Sequence, residues 1–372
     1  MGGIYIHIPF CKRACHYCDF HFSTALSDRQ QMVDAIIKEL SLRKDELMGS
    51  VESIYFGGGT PSLLSEKQLT SILDALFSHF DVEPTAEITL EVNPDDLNPT
   101  RIKSYKQMPI NRFSVGIQSF FDEDLNYLGR VHNSHEALRS LELIRDSGFE
   151  NFNVDLIYGM PQLTKERWLE NLEIVGKLEV THLSCYSLTV EQNTALAYQI
   201  LKNRKQAPKE NRTLAHFELL NKWAREEGYN FYEVSNLAKP GFEAVHNSNY
   251  WKAKQYIGIG PSAHSFDGDT RSWNCADNKK YMKAITLGEL PSEKEFLSLT
   301  DRYNEYIMTG LRTSWGVKLN DISTTFGISY YNHVLSTVQT LPSGHIVFKD
   351  NTLLLTSSGR LVSDSIIASL FI

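Results

Sequence analysis

Short apolar runs alternate with amphipathic stretches along the first 235 residues of the chain. The apolar runs have the length and side chains of buried strands, and the stretches between them repeat apolar residues at the spacing of one helix face. One stretch begins with Ser65 and Gln68 in the order of a capping box, which marks a helix start. The predicted strands are residues 4–8, 53–56, 87–91, 112–116, 151–157, 182–187 and 230–233.

Strands that are regularly separated by helices indicate a parallel sheet made of βα units. The six or seven units found in this chain are fewer than a closed barrel needs. The sequence therefore predicts an α/β fold, a partial TIM-like (β/α)6 barrel over residues 1–235. The predicted helices are residues 28–44, 65–80, 101–105, 134–146, 165–176 and 210–227.

Two further segments follow the predicted barrel. Residues 236–274 are rich in Gly, Asn, Ser and aromatic side chains and show weak periodicity, so residues 236–291 are predicted to be a loop-rich, functional connection. Residues 292–372 predict a smaller, mostly helical domain. The helices predicted after residue 274 are 279–285, 301–311 and 319–326, and the strand-like pieces are 345–349 and 353–355.

The overall composition excludes some classes of partner. The chain of 372 residues carries a net charge of −8, with a pI near 5.9. Such an acidic chain lacks the basic footprint of a nucleic-acid-binding protein. No apolar run reaches the roughly 18 residues of a membrane helix, and the N-terminus lacks a signal-peptide pattern. We therefore expect a cytoplasmic protein with no nucleic-acid partner and no stable membrane insertion.

Three of the five cysteines, Cys11, Cys15 and Cys18, form a C-x3-C-x2-C cluster directly after the first predicted strand. Thiolates are the soft ligands that iron–sulfur clusters use, and three of them leave one iron of a 4Fe-4S cubane open. A zinc site is the alternative, with His16 or His21 as the fourth ligand. The position after a barrel strand, where such folds place their chemistry, favours the iron–sulfur cluster.

Further polar and glycine residues follow the other predicted strands. A Gly-Gly-Gly-Thr-Pro run at 57–61 follows the second strand, where glycine lets the backbone approach a ligand closely, and it lacks the Gly-Lys-Ser/Thr ending of a phosphate-binding P-loop. Asp155 lies among Val and Ile, so it belongs to a structural ion pair or it is a ligand group. Three more polar residues near strand ends are Glu91, Gln118 and Arg130.

The cysteine spacing with an aromatic residue at Tyr17 resembles the signature of the radical S-adenosylmethionine superfamily. The resemblance implies that the amino and carboxylate groups of S-adenosylmethionine chelate the open iron of the 4Fe-4S cluster. It also implies that an electron donor reduces the cluster, which cleaves the sulfonium to a 5′-deoxyadenosyl radical inside a barrel that excludes water.

Over nearly the whole chain, the motifs resemble the branch of that superfamily that contains the oxygen-independent coproporphyrinogen III dehydrogenases (HemN) and their haem-chaperone relatives (HemW). The resemblance implies that Tyr17 contacts S-adenosylmethionine through its backbone and Glu91 contacts the ribose hydroxyls, whereas Thr189 is the loosest match. It also implies a HemN-type C-terminal domain at 292–372 and a haem- or substrate-binding connection at 236–291. The implied S-adenosylmethionine contacts are Tyr5, Tyr17, Gly59, Thr60, Glu91, Gln118, Arg130, Asp155 and Thr189.

Two features separate the members of this branch. The dehydrogenases have a fourth cysteine two residues after the third, where this chain has Phe20. The segment His246-Asn247-Ser248-Asn249-Tyr250-Trp251 matches the H-N-x-x-Y-W motif of the chaperones, which implies haem binding by His246, Asn247, Tyr250 and Trp251, and His264 is a second candidate ligand.

We therefore expect a haem chaperone that binds haem or a related porphyrin, a 4Fe-4S cluster and S-adenosylmethionine, and passes haem to a haem protein of a respiratory chain. Although the scaffold is that of radical enzymes, the two features favour the chaperone. The alternatives are a coproporphyrinogen III dehydrogenase, which decarboxylates propionate side chains oxidatively, and a structural zinc protein on a similar barrel.

Overall fold

The computed structural model describes all 372 residues, from Met1 to Ile372. Six strands lie side by side in chain order, and each is parallel to the next. This arrangement confirms the predicted α/β partial barrel, because parallel neighbours in sequence order are what repeated βα units produce. The strands are β1 (Gly2–Ile8), β2 (Val51–Gly58), β3 (Val82–Val92), β4 (Arg112–Gln118), β5 (Phe152–Tyr158) and β6 (His182–Ser187).

The connections between these strands are helical. In α2 (Glu66–His79), apolar side chains spaced by three and four residues bury one face, and the predicted capping box is formed by Ser65 and Gln68. The other helices between β1 and β6 are α1 (Arg29–Leu42), α3 (Pro99–Tyr105), α4 (Asp122–Leu128), α5 (Ser134–Asp146) and α6 (Lys165–Lys177), with short 3-10 turns at Pro61–Leu63 and Pro94–Asp96.

The sheet continues beyond the six parallel strands on both sides. The next helices are α7 (Ala195–Leu201), α8 (Glu210–Glu226), α9 (Val245–Trp251) and α10 (Asn278–Leu287). The complete sheet has twelve strands in the order β12-β11-β10-β9-β1-β2-β3-β4-β5-β6-β8-β7. The added strands are β7 (Asn230–Phe231), β8 (Asn236–Ala238), β9 (Tyr256–Ile259), β10 (His264–Phe266), β11 (Thr270–Asn274) and β12 (Ser292–Phe296).

The expectation of a loop between residues 236 and 274 is wrong, because this segment contains β8, α9, β9, β10 and β11. These strands have three to five residues, too few for an alternating pattern to stand out. β9 forms by parallel pairing with β1, more than 240 residues earlier in the chain. Such long-range pairing leaves little local signal.

The C-terminal region has a core of its own, with 12 buried apolar residues beside the 61 of the main core. The predicted helices and strands of this region are present. Helix α13 (Ile328–Val338) was missed because its sequence, which begins Ile-Ser-Tyr-Tyr-Asn-His-Val, contains few strong helix formers. The division of the chain into three parts stays a prediction. Strand β12 falls within the predicted C-terminal domain, which begins at residue 292, although it belongs to the main sheet. The elements are α11 (Leu299–Leu311), β13 (Val317–Lys318), α12 (Leu319–Asp321) running into a π-helical turn (Ile322–Phe326), α13 (Ile328–Val338), β14 (Ile346–Lys349), β15 (Thr352–Leu355), α14 (Ser357–Leu361) and α15 (Ser363–Ser369).

None of the helices combines the length and the apolar character that crossing a bilayer requires.

A fully buried carboxylate, that of Glu39 on α1, ties the later strands to the start of the barrel. Its Oε2 accepts hydrogen bonds from the backbone N–H of Gly260 at 2.8 Å and from the hydroxyl of Tyr281 at 2.5 Å. Its Oε1 accepts from the side-chain amide of Asn274 at 2.7 Å and from Arg43 at 3.2 Å. One side chain therefore fixes the ends of β9 and β11 and the helix α10 against α1.

Replacing Glu39 by alanine should destabilise the protein strongly. The change leaves the donors of Gly260, Asn274 and Tyr281 without an acceptor and removes the buried partner of Arg43. We expect the free energy of unfolding in urea to fall by about 3–5 kcal/mol. The control is Glu46→Ala, which removes the half-exposed second partner of Arg43 and should cost about 1 kcal/mol or less. Equal losses for the two variants would contradict the anchoring role.

Candidate functional site

A cavity of about 570 Å³ occupies the inside of the partial barrel. The loops that follow the parallel strands form the rim of this cavity. Along β4, the alternate residues Arg112, Ser114, Gly116 and Gln118 all line this cavity. Alternation turns one face of the strand inward, and these residues span about 20 Å. The cavity therefore follows β4 from its first residue to its last, whereas the interior of a closed barrel is filled by side chains.

The three cysteines of the loop after β1 lie at the rim of the cavity, half-buried and unpaired. The hydroxyl of Thr60 donates to Cys11 Sγ at 3.6 Å, and the guanidinium of Arg130 donates to Cys15 Sγ at 3.5 Å. Burial raises the pKa of the Cys11 thiol and raises the pKa of Cys18 to about 12. The thiols of Cys11 and Cys18 are therefore protonated without metal, and their binding of metal as thiolates must release protons.

The donor set at this rim fits a 4Fe-4S cluster better than a zinc ion. No three His, Cys, Asp or Glu side chains converge on a point that would hold a single metal ion. A cubane does not need such convergence, because each thiolate binds a different iron. The two histidines considered as a fourth zinc ligand have other partners: a ring nitrogen of His16 contacts the carbonyl of Tyr127 at 3.0 Å, and one of His21 contacts the side chain of Asn278 at 2.7 Å.

The structure brings together all of the side chains predicted to contact S-adenosylmethionine. They come from β1, β3, β4 and β5, from the loops after β1, β2 and β6, and, for Arg130, from the segment after α4. The carboxyl ends of adjacent parallel strands share one edge of the sheet, which is why positions so distant in sequence meet. The cavity-lining residues among the predicted contacts are Tyr5, Tyr17, Gly59, Thr60, Glu91, Gln118, Arg130, Asp155 and Thr189.

The glycine run after β2 supports the cysteine loop as well as lining the cavity. The N–H of Gly59 donates to the carbonyl of Ile8 at 2.9 Å, and the N–H of Thr60 donates to the carbonyl of Phe10 at 2.7 Å. A Cβ atom at Gly59 would lie 2.6 Å from both carbonyl oxygens. Position 59 therefore needs glycine for this close backbone packing, which sets the course of the chain leading into Cys11.

Glu91 is a buried carboxyl group in the cavity wall, and its Oε1 accepts a hydrogen bond from Tyr55 at 2.7 Å. Burial raises the pKa of Glu91 to about 7, and the nearby carboxyl of Asp155 adds to the increase. The folded protein therefore favours the neutral form of Glu91 until the pH approaches 7. A ligand that needs the carboxylate must remove this proton below that pH.

Asn93 joins the two side chains that touch the cysteines, and sequence reasoning missed it. Its amide donates to Thr60 Oγ1 at 3.1 Å and accepts from Arg130 at 2.5 Å. Arg130 also donates to the carbonyl of Gly116 at 2.8 Å. The signal that could have identified Asn93 is its place at the end of β3, two residues after Glu91.

Gln118 ends β4 with a φ of 69°, in the left-handed region that residues with a Cβ atom adopt rarely. The pairing of β4 with β5 is irregular between Val115 and Gln118. This local distortion turns the Gln118 side chain into the cavity, as the sequence predicted by its position alone.

Asp155 receives hydrogen bonds from neutral groups, from Asn153 at 2.6 Å and from Ser114 at 3.5 Å, so the interpretation as a structural ion pair is not supported. A chain of contacts continues from there: Asn153 contacts one ring nitrogen of His182 at 2.6 Å, and Tyr232 contacts the other at 2.8 Å. Sequence reasoning missed these residues because nothing local marks them. Burial lowers the pKa of His182 far below its usual value, so its imidazole is neutral.

Helix α9 carries the four residues that were predicted to bind haem, but not all of them line the cavity. His246, Asn247 and Tyr250 line the cavity, whereas Trp251 and the second candidate, His264, do not. His264 begins β10 and is exposed. The amide of Asn247 donates to Tyr232 at 3.1 Å, which connects α9 to the chain of contacts that leads to Asp155.

The imidazole of His246 is only 3% exposed, and both of its nitrogens have partners. Nδ1 contacts the hydroxyl of Ser53 at 2.9 Å, and Nε2 contacts the hydroxyl of Tyr250 at 2.8 Å. Burial lowers the pKa of His246 to about 3, so the ring is neutral. A neutral imidazole has the protonation state of a metal ligand, but one of these two hydrogen bonds must break before it can bind iron.

The fold is a partial barrel with three cysteines after its first strand and a glycine run after its second. These features together define a radical S-adenosylmethionine protein. Residues 5–175 match the model of the radical SAM superfamily, and residues 297–362 match that of the HemN C-terminal domain. The Heme chaperone HemW of Bacillus subtilis is 32% identical, covering 98% of each chain, and that of Escherichia coli is 38% identical, covering 70% of this chain and 69% of the relative. This chain belongs to the HemW family within the radical SAM superfamily.

A solved structure supports the fold. Coproporphyrinogen III oxidase (HemN) from Escherichia coli superposes with a TM-score of 0.85, covering 99% of this chain and 89% of that one. The two chains are 22% identical, so the likeness shows a shared architecture and nothing about substrate.

The raised pKa of Glu91 predicts a pH dependence of S-adenosylmethionine binding. Because the carboxylate accepts hydrogen bonds from ribose hydroxyls better than the neutral acid does, the affinity of the cluster-loaded protein should rise between about pH 6 and 8. Glu91→Gln should remove this component and lower the affinity about tenfold at pH 8. Equilibrium dialysis with labelled S-adenosylmethionine under anaerobic conditions measures both profiles.

The control for this prediction is Glu150→Gln, which changes an exposed carboxylate outside the cavity and should leave the pH profile as in the unmodified protein. If the profiles of the unmodified protein and of Glu91→Gln have the same slope, Glu91 is not the titrating group.

Proposed function

We propose that this protein is a haem chaperone, which binds haem in the cavity and passes it to a haem protein of a respiratory chain. The observation that carries the proposal is that His246, Asn247 and Tyr250 of α9 line the same cavity as the three cysteines. Relatives that match almost the whole chain are named Heme chaperone HemW, which supports the proposal. Cys11, Cys15 and Cys18 would hold the 4Fe-4S cluster.

When bound, the cluster supplies an open iron and an electron to S-adenosylmethionine. The chain's own contribution is to position that cofactor. Arg130 carries a half-buried positive charge beside Cys15, held in place by Asn93 and Gly116, which suits the carboxylate of the methionyl group. Glu91 suits the ribose hydroxyls, because it is a buried acceptor that one tyrosine donor does not saturate.

The rim of the cavity favours haem handling over the decarboxylation of coproporphyrinogen. Phe20 is 68% exposed at the position where the dehydrogenases carry their fourth cysteine. Val131 and Tyr186, also at the rim, are 49% and 45% exposed. Exposed apolar side chains grouped at the mouth of a cavity are typical of a binding surface, and the flat apolar body of haem suits them.

His246 is the candidate axial ligand of the haem iron. Its ring is neutral, and its Nε2 is held by the hydroxyl of Tyr250, which itself lines the cavity. Rotation of the Tyr250 side chain would free this nitrogen without unfolding α9. The bond from Nδ1 to Ser53 on β2 would then orient the ring, as the second nitrogen of a ligating histidine commonly requires.

The central experiment gives the anaerobically reconstituted protein haem and, separately, coproporphyrinogen III with S-adenosylmethionine and dithionite as the electron donor. We expect a haem absorption spectrum and no formation of protoporphyrinogen IX. Conversion of coproporphyrinogen without haem binding would overturn the proposal in favour of the dehydrogenase. Metal analysis and an electron paramagnetic resonance spectrum after reduction test the zinc alternative, since zinc gives no signal.

Delivery is tested by mixing the haem-loaded protein with the apo form of a respiratory haem protein and separating the two. Haem should appear on the recipient, and the amount should fall when the cluster is omitted. Retention of all haem on this chain would remove delivery from the proposal while leaving haem binding in place.

His246→Ala should weaken haem binding about tenfold or more and shift the absorption maximum, because an axial ligand is lost. Titration with haem followed by absorption measures both effects. The matched control is His264→Ala, which removes an exposed imidazole outside the cavity and should bind haem as the unmodified protein does. An unchanged spectrum for His246→Ala would contradict the assignment of His246 as ligand.

A further inference from the structure

Arg112 is a buried cation in the cavity wall. It is not among the residues that the family resemblance implies to bind S-adenosylmethionine or haem. It is the first residue of β4, it is 2% exposed, and it lines the cavity. Its Nε has no hydrogen-bond partner. A guanidinium stays charged in proteins and carries several N–H donors, so burying it without a partner is costly.

The carboxylate nearest to Arg112 does not satisfy it. Glu87 Oε2 lies 3.8 Å from Arg112 Nε, which is too far for a hydrogen bond. The two oxygens of Glu87 instead accept from the backbone N–H groups of Val245, at 2.9 Å, and of His246, at 3.0 Å. Glu87 therefore holds the start of α9 and balances charge at a distance, while the donors of Arg112 stay available.

The side chains around Arg112 suit an anion. His182, Tyr232 and Asn247 line the same part of the cavity and form one hydrogen-bonded chain. His182 is neutral because burial lowers its pKa. Apart from the carboxylate of Glu87, these neighbours of Arg112 are neutral and polar, and Arg112 itself is almost fully buried, so a charge-assisted hydrogen bond to an anion would be strong there.

Arg112 is separated from the cysteine rim by the length of β4. Arg112 and Gln118 stand at opposite ends of this strand, about 20 Å apart along it. The cysteines follow the carboxyl end of β1, and Arg130 contacts Cys15 there. Two of the implied S-adenosylmethionine contacts lie closer to Arg112, because Tyr5 is level with it across the sheet and Glu91 pairs with Ser114. The two sites therefore adjoin, and with the carboxylate of the cofactor proposed to bind Arg130, Arg112 is left for a different anion.

We infer that Arg112 forms a carboxylate-binding subsite in the cavity wall, and that the carboxylate it takes is a propionate of the haem. This inference rests on the haem-chaperone function proposed above. In the same cavity, the rings of Tyr55 and His246 stack with their centroids 5.2 Å apart, and Tyr5 stacks on Tyr55 at 6.1 Å. Haem combines an apolar macrocycle with carboxylates, as this aromatic wall and buried cation require.

The experiment compares haem with haem dimethyl ester, which lacks free carboxylates, in the same detergent. The reconstituted full-length protein should bind haem about tenfold or more tightly than the ester. Arg112→Gln should bring the ratio of the two affinities close to one, and Arg112→Lys should restore part of it. Arg139→Gln, which removes an exposed arginine of α5, is the charge-matched control and should keep the full ratio.

Each outcome decides a different question. Equal affinities for haem and ester in the unmodified protein overturn the subsite, whether or not any variant folds, and leave haem binding intact. Binding of neither compound overturns the proposed function itself. If Arg112→Gln weakens S-adenosylmethionine binding but not the preference for haem, the carboxylate belongs to the cofactor and the inference is wrong. An equal loss for haem and ester, with a lower unfolding midpoint, assigns Arg112 a structural role instead.

Discussion

The buried carboxylate of Glu39 is the interaction on which the arrangement of the site depends. It joins α1 to the ends of β9 and β11 and to α10, and so holds β9 beside β1. The cysteine loop leaves β1 directly after Ile8, at the same end of the strand as Gly260, and α9, which precedes β9, packs against β1 and β2 and lines the cavity. A polar side chain that is fully buried and fully bonded permits one docking of the later strands, because any other would leave its charge without partners.

The barrel supports chemistry because its interior stays polar. Successive inward residues of β4 are Arg112, Ser114, Gly116 and Gln118, where a packed barrel would have branched apolar side chains. Two cations line this interior, the half-buried Arg130 beside the cysteines and the buried Arg112 at the start of β4. A hydrogen-bonded chain from Asp155 to Asn247 runs between the two halves of the cavity wall. The proposed cofactor and haem sites thus share one wall, and a change of protonation or ligand at one site has a physical route to the other.

The parallel barrel and the residues at the rim of the cavity were predictable from the sequence, because the signals for them lie within short stretches of the chain. Each strand of the barrel is long and apolar enough to be recognised alone, and Cys11, Glu91 and Gln118 stand at or near strand ends that the chain order brings to one edge. The residues that line the cavity away from this rim were not predictable from the sequence. Arg112, His182 and Tyr232 carry no motif, and their partners lie between 15 and 50 residues away in the chain. The strands between 236 and 274 were missed because they have only three to five residues each, and because β8 and β9 also pair with strands distant in sequence.

The sequence by itself determined that the three candidate cluster ligands lie together, because three thiols within eight residues must share one loop. It also determined the six-unit barrel, because the alternation of apolar and amphipathic stretches is a local property. Only the tertiary structure decided what the histidine of the H-N-x-x-Y-W segment contacts. His246 meets Ser53 and Tyr250, so its imidazole is neutral, buried and already bonded on both sides. The protonation and accessibility of a side chain depend on what folds around it, and the order of residues along the chain does not specify that.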